Sequence, residues 1–277
     1  MDRWKKVASL AWIVAVAPGC FGTHVPGTGF EDAGYGVAPD LSPLCTGNND
    51  GVIESRELLF PVGATVRYLM NPPGTTVGVM PDGVQSGGGP EWDLKSTMGE
   101  VHDFTLLSPV GAWWGPSFPT ATYAVIADVG SNTLGIFRVS DAGLYLLGFA
   151  SVEPDRTLLV YDAEVLSLRF PVKKGDGWVT GGRIMNGKLD GKPYAATDTY
   201  RIQVDTAGTA AMPYLKFANT LRVRLDSTQA VGAGVSVTRI QHLFYHECYG
   251  ELGRMVSNFG EANPSFQTAA EFRRLAL

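Results

Sequence analysis

The chain has 277 residues, 45% of them hydrophobic, with 22 Lys and Arg against 27 Asp and Glu. That length supports one large β domain or two small ones, and the excess of acids argues against a nucleic-acid partner.

Residues 1–19 read as an export leader. Arg3, Lys5 and Lys6 precede an apolar run over 7–17, which is too short for a permanent membrane-spanning helix. Ordinary signal cleavage after Ala17 would leave Pro18 first, a poor arrangement for that cut. Ala17-Pro18-Gly19-Cys20 instead resembles a bacterial lipobox, with Ala17 and Pro18 as departures from its usual residues. The expected product is a lipoprotein acylated on Cys20. Phe21 stands where Asp would favour inner-membrane retention, so the outer membrane or cell surface is the expected location. Without the leader, 19 Lys and Arg face 26 Asp and Glu, and no other apolar run reaches membrane-spanning length. The lipid is therefore the expected membrane attachment, each buried methylene contributing about 0.8 kcal/mol.

Residues 20–44 hold five Gly, three Pro and no Lys or Arg, the composition of a tether. Residues 45–59 carry a loop resembling an EF-hand or dockerin calcium site. Thr46, Asn48, Asp50, the Val52 carbonyl and Glu57 take the ligand positions, and Gly51 the sharp turn. Thr46 replaces the expected Asp, and Pro43 precludes a normal entering helix. A metal-free Asn-Asp-Gly turn before one helical turn at 55–59 fits the same residues equally well. Calcium, if bound, is expected as a weak structural clip. With Cys20 lipidated, Cys45 and Cys248 remain in an oxidising compartment, where a disulfide is the default and two free thiols the alternative. So long a loop gives about 5 kcal/mol in the chain-entropy model.

From 60 to 258 the pattern is β. Tyr200, Ile202 and Val204 alternate with polar neighbours, as do Leu221, Val223 and Leu225. Further strands are predicted at 64–70, 121–129, 134–139, 144–150, 156–161, 164–170, 178–184, 235–249 and 251–257. Asp141-Ala142-Gly143, Gly175-Asp176-Gly177, Asn186-Gly187, Asp190-Gly191 and Ala207-Gly208 supply turn signals. The expected fold is mainly β, an antiparallel sandwich or an open or half barrel. In the tail, 259–277, Thr268 and Glu271 fit a capping box and predict a short helix over 269–277.

Chemistry is sparse. His242 and His246 would share a strand face, yet they lack a zinc-motif order, and a third ligand must come from His24, His102 or a distant carboxylate. The carboxylate pairs Asp162/Glu164 and Glu247/Glu251 could serve a glycosidase only at a suitable separation. Trp92, Trp113, Trp114 and Trp178 fit either a ligand groove or ordinary packing. No nucleophile elbow, phosphate loop or dinucleotide fingerprint is present.

Several short motifs recur in a fixed order: Glu91-Trp92-Asp93-Leu94, Phe118-Pro119, Gly143-Leu144 with Gly148, and Phe170-Pro171 leading to Gly175-Asp176 and Trp178. Val204-Asp205 with Gly208-Thr209, Asn219 with Leu221-Arg222-Val223, and Tyr245 with Glu247-Cys248 and Gly250-Glu251 follow. Over 60–257 this order resembles a group of secreted or lipid-anchored bacterial β domains without an assigned activity. It therefore implies export and a β fold but carries no catalytic residues. The second half is also similar to the half-barrels of Lol-type lipoprotein carriers, although the covering helices those use are missing. The leading expectation is a non-catalytic lipoprotein with a binding or structural role. A carrier of lipid or another apolar ligand and an envelope glycan hydrolase are the alternatives, and the oligomeric state is left open.

Overall fold

The alternation expected around Tyr200–Val204 and Leu221–Leu225 builds the centre of one large sheet. The computed structural model describes residues 45, 47–58, 60–130, 132–231 and 235–276. In chain order the strands are β1 (Val52–Ile53), β2 (Thr65–Met70), β3 (Val77–Gly78), β4 (Val84–Ser86), β5 (Gly89–Asp93) and β6 (Glu100–Thr105). Then come β7 (Tyr123–Asp128), β8 (Thr133–Ser140), β9 (Gly143–Ser151), β10 (Leu158–Arg169), β11 (Val172–Lys173) and β12 (Gly177–Leu189). The long strands β13 (Lys192–Ala211) and β14 (Lys216–Val231) precede β15 (Val235–His246), β16 (Gly250–Ser257) and β17 (Thr268–Leu275).

Twelve of these form one antiparallel path, β6-β2-β17-β16-β15-β14-β13-β12-β10-β9-β8-β7. Its ends meet where Leu107 and Ala124 exchange N–H···O bonds of 2.7 and 2.9 Å, so the sheet is a nearly closed barrel. Closure occupies the sheet edges that would otherwise offer unpaired N–H and C=O groups.

Tyr194, Ala196, Asp198, Tyr200, Ile202 and Val204 of β13 face inward and are buried, while Thr197, Thr199, Arg201 and Gln203 face solvent. That outer polar face is not one that lipid tails would solvate. Elsewhere the wall is covered on both sides. Trp114 and Phe118, from the 109–121 segment, pack outside β7–β9 against Ala124, Leu134, Ile136 and Leu147. Outside β14–β17, Trp92, Leu94 and Phe266 cover Phe244, Met255 and Phe272, with Trp92 and Phe244 rings 4.9 Å apart.

The closing segment corrects an expectation: 269–277 is not a helix. Residues 268–275 form β17, inserted between β2 and β16. Glu271, Arg273 and Leu275 turn into the barrel, so the tertiary setting overrides the helix propensity of Ala, Glu, Arg and Leu. Two turn signals also resolve differently. Asn186-Gly187 is a bulge within β12, and Ala207-Gly208 lies inside β13; the hairpin turn is at Asp190-Gly191, both with positive φ. The segments predicted at 156–161 and 164–170 are one bulged strand, β10.

The barrel interior holds a sealed ion network. Glu251 Oε2 accepts from Arg254 Nη2 at 2.5 Å, and Oε1 accepts from Arg273 Nε at 2.8 Å. Tyr68 donates to the Glu251 carbonyl at 2.8 Å, and the Arg273 guanidinium lies 4.9 Å over the Tyr68 ring. Arg254 and Glu251 are fully buried. Glu251→Gln should therefore lower unfolding free energy by about 3–5 kcal/mol, because two buried cations lose their counter-charge. The triple change Glu251→Leu, Arg254→Met, Arg273→Met should lose less than the single one. Urea denaturation followed by tryptophan fluorescence reads both, and a larger loss in the triple variant overturns this account.

Candidate functional site

The N-terminal strap is fixed to one rim of the barrel. Cys45 and Cys248 are disulfide-bonded across 203 residues, with Cα atoms 5.6 Å apart. Cys248 donates its N–H to the Glu57 carbonyl at 2.9 Å, and β1 pairs with β11. The Asn49 N–H donates to Glu247 Oε2 at 2.6 Å, and Asn219 Nδ2 donates to the Asn49 carbonyl at 2.8 Å.

The expected calcium ligands divide between two environments. Thr46, like Cys20, lies outside the described residues. Asn48 and Asp50 are exposed and bonded to one another at 2.9 Å; Asp50 Oδ1 also accepts the Val52 N–H at 2.8 Å. Glu57 instead turns inward from the 3-10 turn Ser55–Glu57, and its Oε2 accepts the Glu54 N–H at 2.9 Å. Burial, opposed by that hydrogen bond and reinforced by Glu247, raises the Glu57 carboxyl above its usual range. Among the described residues no three His, Cys, Asp or Glu side chains are grouped to hold a metal.

The carboxylate pairs do not converge on a cleft. Asp162 is held by Arg183 and Glu164 by Arg138, while Glu247 secures the strap and Glu251 sits inside the barrel. The histidines also separate. His242 lies outside the wall beneath Phe266 and donates Nε2–H to the Pro264 carbonyl at 2.7 Å; His246 Nδ1 is 2.7 Å from the Glu247 carbonyl. The bulge between Phe244 and Tyr245 lies on the β16 side, so β15 keeps its alternation and the two histidines differ in their partners rather than in their face. The four tryptophans serve packing. Trp92, Trp113 and Trp178 each donate their indole N–H to a backbone carbonyl, and Trp114 is buried against Phe118.

Two features remain. One is a groove of about 610 Å³ between the β3–β5 excursion and the outside of β16–β17. Val77, Val79, Met80, Val84, Met255 and Phe272 line it, with Glu91 and Asp93 also present. The other is a buried polar centre on the inner face. Asp198 pairs in register with Gly182 of β12 and Gln229 of β14. A Cβ on Gly182 would lie 2.6 Å from the Tyr161 ring, so glycine there lets that ring lie against the wall. The Tyr161 hydroxyl then donates to Asp198 Oδ2, and the Tyr200 hydroxyl is 3.0 Å from that of Tyr161. Burial pushes both phenols well above 10 and raises the Asp198 carboxyl too. Sequence reasoning passed over Asp198, yet the signal was present: a carboxylate standing on the apolar register of a strand.

No family model, no curated protein sequence and no solved structure matches this chain.

Burial, then the nearby Arg222, lowers the His242 pKa to about 4, with Asp205 and the Pro264 bond opposing and Arg224 adding to the effect. The unfolded chain takes up a proton near 6.5 while the folded one resists it. Stability from this group is thus present above about 6.5 and lost as the pH falls toward about 4, by about 3 kcal/mol. His242→Phe should flatten that slope between pH 6.5 and 4 in urea titrations; an unchanged slope overturns the assignment.

Proposed function

We propose that the chain is an exported, lipid-anchored protein of the outer membrane or cell surface that acts by binding rather than by catalysis. The observation that carries this reading is the Cys45–Cys248 disulfide. A strap tied across the whole barrel by an oxidised pair suits a compartment where thiols are not kept reduced. The basic n-region, the apolar run and the Cys20 motif give the same direction independently. The non-catalytic part rests on the carboxylates named above, each of which has a structural partner. Cells fed radiolabelled palmitate should incorporate label into the wild-type protein and none into Cys20→Ala, which should leave the membrane fraction. Equal labelling, or an unlabelled wild type, overturns the reading.

The apolar-ligand reading is favoured by the outer groove. Its volume and largely apolar lining fall within the usual range for small-molecule sites, and Glu91 and Asp93 suit a ligand whose polar end donates hydrogen bonds. The barrel interior is less suited to lipid, since Tyr68, Phe104, Tyr123, Phe137, Phe149 and Tyr161 meet there ring to ring. Native mass spectrometry after detergent release should show a bound small molecule whose occupancy falls in Val84→Asp. Identical spectra for the two proteins overturn this second reading.

A further inference from the structure

The polar centre on the inner face is incomplete. Asp198 Oδ1, Gln229 Oε1 and the Tyr194 hydroxyl all lack a hydrogen-bond partner, and these residues are only 2%, 1% and 8% exposed. An unsatisfied buried polar group costs about 1–3 kcal/mol, so three of them around one patch describe a place for a missing group. All three oxygens can accept, which makes that group a donor.

Charge narrows the choice. Glu251, at comparable depth, is neutralised by two arginines. Among the described residues no Lys, Arg or His forms an ion pair with Asp198; its neighbours are Tyr161, Tyr200 and Gln229, all uncharged. A buried carboxylate without a cation is unfavourable by several kcal/mol. Water would satisfy part of the hydrogen bonding but none of the charge.

One member of the centre borders a surface hollow. The β12–β13 hairpin encloses an open hollow of about 540 Å³ lined by Asn186, Gly187, Lys188, Pro193 and Tyr194. The β12 bulge between Ile184 and Gly187 shapes it. A Cβ on Gly187 would sit 2.6 Å from Ile184 and 2.8 Å from Leu159, so the bulge keeps its form only with glycine there. Tyr194 lines this hollow, and the field of Asp198 reaches its phenol, reinforcing the upward shift that burial imposes.

We propose that this centre binds the primary ammonium group of a small organic amine, which enters past Tyr194 and donates to Asp198 Oδ1, Gln229 Oε1 and the Tyr194 oxygen. Three N–H donors meet three acceptors, and the ammonium supplies the charge that Asp198 lacks. The tyrosine rings give the adjoining methylenes an apolar surface and the cation a favourable π face. The site is separate from the outer groove and stands whether or not Cys20 is acylated.

The test is calorimetric titration of the full-length protein in detergent with n-butylammonium, and with n-butanol as its neutral counterpart. The amine should bind saturably at one site and the alcohol should not. Asp198→Asn should weaken amine binding at least tenfold. Tyr194→Phe, which leaves the Tyr161–Asp198 bond in place, should weaken it several-fold and decides the matter should Asp198→Asn fail to fold. Lowering the pH enough to protonate Asp198 should weaken binding as well. Absence of amine binding, equal binding of amine and alcohol, or wild-type affinity in Tyr194→Phe overturns the proposal, as does a crystal grown with the amine showing only water at the three oxygens.

Discussion

Glu251, clasped between Arg254 and Arg273 where no water reaches, is the constraint on which the barrel depends. A twelve-stranded wall encloses more volume than short aliphatic side chains on alternate positions can fill. Long arginines and tyrosines fill it here, and each brings a polar end that must be matched. The match fixes register. A one-residue slip of β17 would turn Arg273 and Glu271 outward and bring Phe272 and Arg274 inside, which breaks the Arg273–Glu251 pair. The network also joins distant parts of the chain, since Tyr68 of β2 and Arg273 of β17 meet at Glu251, the first at its backbone carbonyl and the second at its carboxylate.

The same polar interior explains what sequence reasoning reached and what it missed. β13 and β14 were legible because their inward residues are largely apolar and their outward ones wet, so hydropathy alternates as the side chains do. In β17 the inward residues Glu271 and Arg273 are charged and the outward Phe272 is covered, so the period-two signal inverts and helix propensity dominates the local reading. β15 and β16 are buried on both sides, which fits a strand but conceals which face is which. β6 escaped notice for a related reason: it contributes Phe104 to the core, while Glu100, Val101 and Asp103 are exposed. The disulfide was reached through compartment and cysteine count rather than geometry. The calcium motif read the loop as a ring of ligands, whereas burial of Glu57 beneath the strap and exposure of Asn48 and Asp50 separate them.

Two inner carboxylates illustrate two ways of managing buried charge. Glu251 is compensated completely from within the chain, and the outcome is a rigid, solvent-excluded core. Asp198 is compensated only by neutral donors, its carboxyl is raised, and its own Oδ1 and two acceptors beside it remain open. A fold that needed only stability would be served better by an apolar residue at this position, as at neighbouring Ala196 and Ile202. Under the proposed amine binding the cost at Asp198 belongs to function, in line with the general clustering of perturbed groups at working sites.

Strand direction relates this centre to the proposed anchor. Cys248 lies in the turn between β15 and β16, at the end of the wall where β13 finishes at Ala211 and β14 begins at Lys216. Tyr194 lies at the opposite end, beside the hairpin that starts β13. At about 3.3 Å per residue, the 17 steps from Tyr194 to Ala211 cover about 55 Å along the strand. The 25 residues from Cys20 to Cys45 can reach at most about 85 Å when fully extended. A lipid on Cys20 would join the folded part at the disulfide rim, with the β12–β13 hollow at the far end of the longest strand. Attachment and ligand entry then occupy opposite poles of the barrel, so fastening one end leaves the other unobstructed.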